Sequence, residues 1–395
     1  MYTLAIILIV LLGLGNLVWV GRHVMISRQK RTGFALTPES PGPPEAAPKI
    51  TVVVAAKDEQ ENIEACVRTM LAQDYPDFEM IVADDRSSDR TGEIVAAIAR
   101  EDPRLKLVTI DHLPAGWSGK NHAMMHGIAA SGGEWICMID ADCRQTSNRT
   151  LSVAMQHALD TGSDMLSVLP TLEMQGFWEN VVQPVCGGVM MIWFHPDKVN
   201  NPAKRNAYAN GAFILMRRSA YEAVGTHEVV KQCLMEDMHM SKKLKDMGMR
   251  LRVVQNFGLY LVRMYTSLGA ILRGWSRIFL GTFGTPGRLC TSAALVLAFS
   301  LLPHLGALAG LILALAGAAP VGLWPVVAAT GAAAAILQIS AIYRFYRLIG
   351  GRTDLAWTFP IGAVLALVAL LMSISRLRPG AKVVWRGTTY TAVRS

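Results

Sequence analysis

Long uncharged apolar runs lie at both ends of this sequence, and they limit its possible folds more than any other feature. Thr3 to Val20 is apolar apart from Thr3 and Asn16. Toward the other end, Ser292 to Ala319, Val321 to Tyr343 and Leu355 to Ile374 carry no formal charge. Backbone in hydrocarbon must satisfy its own N–H and C=O groups, so such runs fold as helices. At ~1.5 Å per residue the first run spans about 27 Å, close to the thickness of a bilayer core. The sequence therefore predicts an N-terminal transmembrane helix over residues 1–22 and a C-terminal transmembrane region over residues 290–375.

Charge sets the orientation. Arg22, Arg28, Lys30 and Arg31 follow the first run, which predicts an outward N-terminus and a cytoplasmic middle. A cleaved signal peptide carries its basic residues ahead of the apolar run, so that rival fits less well. At the other end two cues conflict. The uncharged loop 317–323 belongs outside and the loop with Arg344, Arg347 and Arg352 inside, so three crossings place the C-terminus outside. Yet the basic tail, residues 376–395, holds Arg376, Arg378, Lys382, Arg386 and Arg394 without an acid. Charge favours an inside tail, with one apolar stretch re-entrant or split. The net charge of +8 is not gathered into a basic stripe with interleaved aromatics, so the expected partner is the lipid bilayer and not nucleic acid. The six cysteines form no Cys-x-x-Cys pair and no zinc pattern, and read as reduced thiols of a cytosolic domain. The setting is the inner (plasma) membrane of a bacterial-type cell.

A proline-rich linker, residues 23–48, leads into a strand–helix alternation over residues 49–262. Ile50–Ala56, Phe78–Ala83, Leu105–Ile110 and Glu134–Ile139 read as strands; Glu59–Ala72, Thr91–Arg100 and Asn121–Ala130 read as helices. This is the pattern of an α/β fold with a mainly parallel, Rossmann-like sheet and helices on both faces. Ligands of such sheets sit beyond the carboxyl ends of the strands. Acids collect there: Asp58 and Glu59, then Asp84 and Asp85, then Asp140 and Asp142. In the last pair an apolar run stops at two carboxylates one residue apart, which share a face if the strand continues. Buried carboxylates are costly unless a cation meets them. A hard divalent ion, with a diphosphate completing its shell, suits oxygen ligands. A helix cap or solvated turn explains one such pair equally well; three acidic strand ends on one edge favour a site. The sequence lacks Gly-x-Gly-x-x-Gly and Gly-Lys-Ser/Thr loops, which argues against a nicotinamide dehydrogenase or a P-loop nucleotidase.

Two further stretches stand out. Phe177 to Phe194 has the length of a membrane span, but Pro184 and Gly187-Gly188 weaken it as a straight helix. It is expected to lie in the membrane interface or to line an apolar groove. The segment 263–289 sets Arg273 and Arg277 against Ile271, Trp275 and Phe279. It reads as an interfacial amphipathic helix, with packing on the domain's own core as the rival.

Thr51-Val-Val-Val-Ala-Ala-Lys-Asp-Glu59, Val82-Ala-Asp-Asp-Arg-Ser-Ser-Asp-Arg-Thr91, Asp140-Ala-Asp142 and Glu236-Asp237, in this order, resemble the family 2 glycosyltransferases with a GT-A fold, over roughly residues 49–255. Leu113-Pro-Ala-Gly-Trp-Ser-Gly-Lys-Asn121, Ala209-Asn-Gly-Ala-Phe-Ile-Leu-Met-Arg-Arg218 and Val384-Trp-Arg-Gly-Thr-Thr-Tyr390 are similar to membrane-bound members that glycosylate lipids. These are the hopanoid-associated and carotenoid (chlorobactene-type) glucosyltransferases and, more distantly, ceramide glucosyltransferase. Processive synthases carry Gln-x-x-Arg-Trp; here Leu272-Arg273-Gly274-Trp275 lacks the Gln, which points to transfer of a single sugar. In the family's Gly-Gly-His element Gly225 is kept, but Thr226 replaces the second Gly ahead of His227.

The resemblance implies a GT-A catalytic domain over residues 49–262 and a role for each motif residue. Asp85 would hold the uracil or ribose of a UDP-sugar, with Ala56, Glu59 and Asp84 shaping that pocket. Asp142 would ligate Mg²⁺ or Mn²⁺, and Asp140 would contact the ribose or the metal's water shell. Lys120 would meet the diphosphate at the head of a helix, and Asn210 and Gly211 would form the floor under the sugar. Asp237 would be the base. Glu236, Arg273 and Trp275 would serve the acceptor or gate the site. The implied reaction is inverting transfer of one sugar to a hydroxyl of a membrane lipid. A phosphate acceptor, as in a polyprenyl-phosphate sugar synthase, would need no base but more Arg or Lys at the acceptor mouth. An inactive membrane scaffold or sensor is the reading from another class, and the acids at Asp85, Asp142 and Asp237 argue against it.

Overall fold

A computed structural model describes residues 1–29, 34–378, 382–385 and 388–391. Lys30, Arg31, Arg386 and Arg394, which entered the charge reading, lie outside these residues. In chain order the first half contains α1 (Tyr2–Gln29), β1 (Ala35–Leu36), β2 (Ile50–Ala56), α2 (Ile63–Leu71), β3 (Phe78–Asp85), α3 (Thr91–Glu101), β4 (Leu105–Ile110), α4 (Gly119–Ala129), β5 (Trp135–Asp140), β6 (Cys143–Gln145) and α5 (Thr150–Asp160). Then follow β7 (Met165–Leu169), β8 (Thr171–Leu172), α6 (Phe177–Trp193), α7 (Pro196–Val199), β9 (Phe213–Arg217), α8 (Arg218–Ala223), α9 (Glu236–Asp246), β10 (Leu251–Asn256) and β11 (Tyr260–Val262). The remaining helices are α10 (Leu268–Phe283), α11 (Pro286–Val296), α12 (Leu302–Leu315), α13 (Leu323–Leu348) and α14 (Phe359–Ser375).

The main sheet runs β1-β10-β7-β9-β5-β2-β3-β4. β9 is antiparallel to both its neighbours, while the other pairings in this sheet are parallel. The four expected strands are β2 to β5. Their continuous Val/Ile runs suit strands covered on both faces, and β3 is buried at every position. One face packs α2, α3 and α5 through residues such as Ile63, Val67 and Leu151. The opposite face packs an apolar cluster that runs on into the membrane helices without a break. It joins Met138 and Ile214 of the sheet to Val181 and Val185 of α6, Phe279 of α10, Trp19 of α1, Ile342 of α13 and Ala366 of α14. The α/β domain and the apolar helices thus share one core.

Among the described residues, four helical stretches are long and apolar enough to cross a membrane: Tyr2–Arg28, Pro286–Leu315, Leu323–Leu348 and Thr353–Ser375. They do not pack alike. α1, α12 and α13 form a bundle with outward apolar residues such as Ile6, Leu308 and Ile336. α14 lies on the α/β domain. A Cβ at Gly362 would stand 2.2 Å from the Val181 carbonyl oxygen, so only glycine lets α14 rest directly on α6. At its far end Ser373 Oγ donates to the Ser276 carbonyl at 2.8 Å, and Arg376 donates to Ser276 Oγ at 3.0 Å. The opposite stripe, Ile361, Val364, Val368 and Leu371, is exposed. In the segment 263–289, helix α10 turns Ile271, Trp275, Phe279 and Phe283 into the shared core against α6 and α14, as the rival reading of that segment expects.

Candidate active site

A cavity of about 790 Å³ opens where the parallel strands end. Sheet register places Ala56 beside Asp84, and Ala55 beside both Ala83 and Asp140, so the ends of β2, β3 and β5 are level. From them Ala56, Lys57, Glu59, Asp85, Asp140 and Asp142 reach the cavity wall. Asp58 and Arg86, just past β2 and β3, hold left-handed backbone with φ 52° and 56°. Such conformations cost energy in non-glycine residues and tend to be kept at working sites.

Asp85 is almost wholly buried, and Arg86 grips it from two sides: Nε to Oδ1 at 2.9 Å and Nη2 to Oδ2 at 3.1 Å. Lys57 Nζ donates to the carbonyls of Asp85 and Arg86 at 3.2 and 3.3 Å. A Cβ at residue 119 would fall 2.1 Å from Asp85 Oδ2, which explains the glycine that opens α4. Ser118 caps that helix by accepting from the Asn121 N–H. The Asn121 side chain donates to the carbonyls of Val230 and Cys233 at 2.6 and 3.0 Å, locking the head of α4 to the loop before α9. Glu59 accepts from Asn62 Nδ2 at 2.9 Å. Asp84 does not shape the cavity as expected. Its Oδ1 accepts from the Ser87 N–H at 3.1 Å, and its Oδ2 faces Gly92 at the start of α3.

A second group of charges meets under Gly211. Lys120 Nζ lies 2.6 Å from Asp140 Oδ1 and 2.8 Å from Glu236 Oε1. Burial pulls the Lys120 pKa down, but the two carboxylates outweigh it and hold the ammonium well above the usual lysine range. Lys120, expected at the diphosphate, is thus held by two protein carboxylates. Asp140 and Glu236 are correspondingly engaged with Lys120, and Glu236 also lies on the cavity wall. Glu236 and Asp237 are adjacent on a helix and diverge by about 100°. Asp237 accepts from the Gly211 N–H at 2.9 Å and from its neighbour Met238 N–H at 2.7 Å. Burial raises its pKa to about 7, and the negative charge of Glu236 adds to the rise. Asn210 accepts from the Ala212 N–H at 3.0 Å, and its own N–H donates to Ser167 Oγ at 2.9 Å.

Among the described residues no three His, Cys, Asp or Glu side chains converge as a metal cage. Asp140 and Asp142 nevertheless offer hard oxygen donors on the cavity wall. Mg²⁺ is commonly held by one or two carboxylates, with substrate phosphates and waters filling its shell. The donor set therefore fits a hard divalent ion that arrives with a diphosphate.

The rest of the wall is apolar and belongs to helices. α6 contributes Pro184, Gly187 and Gly188, so Phe177–Phe194 does line a groove. α1 contributes Trp19 and Arg22, α13 Ile342 and Phe345, and α10 Trp275 and Arg277. Arg273, expected to close over the substrates, is exposed on the outer side of α10 and away from the cavity. Arg277, one turn on, faces it and donates to Tyr265 Oη at 2.9 Å. His227 is an interior residue: its Nδ1 lies 2.8 Å from Tyr221 Oη, and burial, helped by Lys120, pushes its pKa down to about 3. Sequence reasoning missed Lys57, Tyr208, Gln183 and Arg22 as cavity residues. Only Lys57 had a signal, since it sits inside the first acidic motif.

A mainly parallel sheet with acids at its strand ends and a nucleotide-sized cavity above them is the GT-A architecture. Residues 51–225 match the model of Glycosyl transferase family 2. The fold is similar to that of the mannosyltransferase PcManGT from Pyrobaculum calidifontis, solved in complex with GDP-Man and Mn²⁺. The TM-score is 0.53 at 19% identity, covering 92% of this chain and 99% of that one. Among curated relatives, a beta-monoglucosyldiacylglycerol synthase of Trichormus variabilis is 27% identical over 45% of this chain and 37% of its own length. A 4,4'-diaponeurosporenoate glycosyltransferase of Staphylococcus haemolyticus is 22% identical over 67% of this chain and 66% of its own. The chain matches only 23% and 26% of the length of two further relatives.

Proposed function

We propose that this protein is an inverting, non-processive glycosyltransferase. It moves one sugar from a UDP-sugar to a hydroxyl of a membrane lipid of hopanoid, carotenoid or sphingolipid-like type. The observation that carries the reading is one continuous cavity that joins the acids at the strand ends to an apolar arm among the membrane helices. The relatives named as a beta-monoglucosyldiacylglycerol synthase and a 4,4'-diaponeurosporenoate glycosyltransferase agree with a lipid acceptor.

In this reading Asp85, Ala56 and Glu59 receive the nucleoside, since carboxylates accept from its hydroxyl and N–H donors. Asp142, with Asp140 beside it, holds Mg²⁺ or Mn²⁺, which when bound draws charge from the leaving diphosphate. Lys120 fixes Asp140 and Glu236 in place. Gly211 and Asn210 form the floor under the sugar. The acceptor hydroxyl oxygen forms its bond to the anomeric carbon as the bond from that carbon to UDP breaks. Its proton passes to Asp237, whose raised pKa suits a base working near neutrality. Only one protein base is required, unlike a glycosidase, which also needs an acid.

The catalytic domain is assigned to the cytoplasmic side on Arg22, Arg28, Lys30 and Arg31, and the basic tail to the same side on its own charge. A second reading has one specific support. Arg22 and Arg277 line the cavity, and such cations suit the phosphate acceptor of a polyprenyl-phosphate sugar synthase. The test is to incubate the detergent-purified protein with a panel of UDP-sugars and a native lipid extract. Mass spectrometry should find a neutral lipid gaining one hexose-type increment. A product on a polyprenyl phosphate would replace the first reading with the second, and a product carrying many sugars would contradict single transfer.

A further inference from the structure

Beside the donor arm lies a cluster of aromatic and imidazole rings that the proposed reaction does not use. His112 follows the end of β4, Trp117 precedes α4, and His122 and His126 belong to α4 itself. None of these four residues lines the cavity. They gather around His122, whose ring centroid is 6.4 Å from that of His112 and 5.4 Å from that of Trp117. His122 is 5% exposed, whereas His126 stands open to solvent.

His122 and His126 are four residues apart and so share one face of the helix. Their Nε2 atoms are 3.1 Å apart, with ring centroids 4.4 Å apart. Two imidazole nitrogens on one Zn²⁺, each at about 2.0–2.1 Å, stand about 3.3 Å from each other at a tetrahedral angle. Histidine pairs at this helical spacing are a recurrent zinc-binding unit. The helix that carries them is also held firmly. Ser118 caps its head, and Asn121 ties it to the loop before α9. A Cβ at Gly127 would stand 2.7 Å from Val53 Cγ1, which seats α4 directly on the sheet. Burial, with His126 beside it, pushes the His122 pKa down, so its ring stays neutral and able to ligate near neutrality. No third His, Cys, Asp or Glu among the described residues completes a cage, so water or a small ligand takes the other coordination positions.

We propose that His122 and His126 form a second metal site, outside the donor cavity, for a late first-row dication such as Zn²⁺. Imidazole suits such ions, whereas the carboxylates of Asp140 and Asp142 suit hard ones, so ligand chemistry sorts cations between the two sites. An ion held by the pair clamps the helix whose head sets Gly119 against Asp85 and Lys120 against Asp140. A proton shared between the two rings is the rival account of the 3.1 Å contact. The proposal does not depend on the sugar-transfer reading.

The test uses the detergent-purified full chain, freed of metal and of any affinity tag, in excess Mg²⁺ so that the carboxylate pair stays supplied. Zn²⁺ uptake is followed by competition with a chromogenic chelator. Wild type should bind one equivalent that Mg²⁺ does not displace, and Zn²⁺ should raise its Tm. His126→Gln, at an exposed position, should keep a cooperative melt but bind Zn²⁺ at least about tenfold more weakly, since even outer-shell partners of a metal ligand are worth about 10–100-fold. Its Tm should no longer respond to Zn²⁺. With Cu²⁺ as a spectroscopic probe, electron spin-echo spectra should count two imidazoles in wild type and one in His126→Gln. Absence of Zn²⁺ uptake by wild type would overturn the proposal and leave the pair as a proton-sharing contact. Equal uptake by wild type and His126→Gln, or a single imidazole on Cu²⁺ in wild type, would overturn it as well.

Discussion

The two arms of the cavity are built by different means. The donor arm stands on the ends of β2, β3 and β5, where sheet register fixes each carboxylate to within a residue. The lipid arm is assembled from faces of α1, α6, α10 and α13, whose contributions run from Val18 to Leu348 along the chain. A strand end cannot slip without moving every side chain to the other face. A helix face can change residues and still fill space. The donor arm should therefore fail outright when one atom changes, whereas the lipid arm should change its preference by degrees.

The sharpest break is expected at Asp142. Asp142→Asn keeps the shape of the residue and removes its charge, so turnover should be abolished while the thermal melt stays near wild type. EDTA should stop the wild-type enzyme, and Mg²⁺ or Mn²⁺ should restore it. Full activity in chelator would remove the metal from the donor arm.

Asp237 stands where the two arms meet, and the effect there should be smaller. Asp237→Asn still accepts a hydrogen bond but cannot take a proton, so turnover should fall on the order of 10²–10⁴-fold with UDP binding kept. The sign of the pH dependence follows from burial and from Glu236, which raise the pKa of Asp237 to about 7. Below that pH the carboxyl is protonated and unable to act as a base. The kcat/KM of wild type should climb as pH rises through about 7, and this limb should vanish in Asp237→Asn. Near-wild-type turnover by the variant would shift the balance to the phosphate acceptor.

The same contrast explains what could be read in the sequence. β2 to β5 were legible because buried parallel strands are continuous apolar runs that stop at acids, as Trp135–Asp140 does. β7, β9 and β10 carry no such ending. β9 runs antiparallel, and its order in the sheet depends on contacts far apart in sequence. In the donor arm Asp85 and Asp142 could be placed by position alone. Asp84 could not, because the residue at a strand's end faces one side or the other according to a turn that the sequence leaves open. Lys120 was legible as a cation at a helix head, but its partners come from β5 and α9, and one of them lies more than a hundred residues away. Arg273 and Arg277 differ by one turn of the same helix, and only the packing of α10 on α6 and α14 decides which one meets the cavity.

Within the lipid arm, Gly188 offers a graded change. A Cβ there meets nothing within 4 Å, and the residue lines the cavity. Gly188→Leu should suit the helix better than glycine while filling space that an acceptor needs. Transfer to lipid should drop roughly tenfold, as for a pocket altered by a few methylenes, with hydrolysis of the UDP-sugar by water unchanged. Equal loss of both activities would mean that the two arms are not separable.

The smallest effect on activity, and the one that separates α14 from the bundle, is expected from a labelling experiment. By length and composition α14 resembles the spans around it. Its packing differs: Gly362 seats it on α6, Ser373 and Arg376 tie its end to Ser276, and only one stripe is left for lipid. We propose that α14, fixed at both ends to the α/β domain, lies along the interface; with three other spans and an outward N-terminus the tail is then expected inside, in agreement with its arginines. Cysteine placed at exposed Arg378, in a background with Cys233 and Cys290 replaced by Ser, should leave transfer close to wild type. A membrane-impermeant maleimide should label Arg378→Cys in inside-out vesicles and not in intact cells, whereas Ala316→Cys, in the loop after α12, should show the reverse. Labelling of Arg378→Cys from outside would make α14 a fourth crossing. The contacts of Gly362 and Ser373 would then have to form within the bilayer, and the lipid arm would open at a depth different from the one its packing implies.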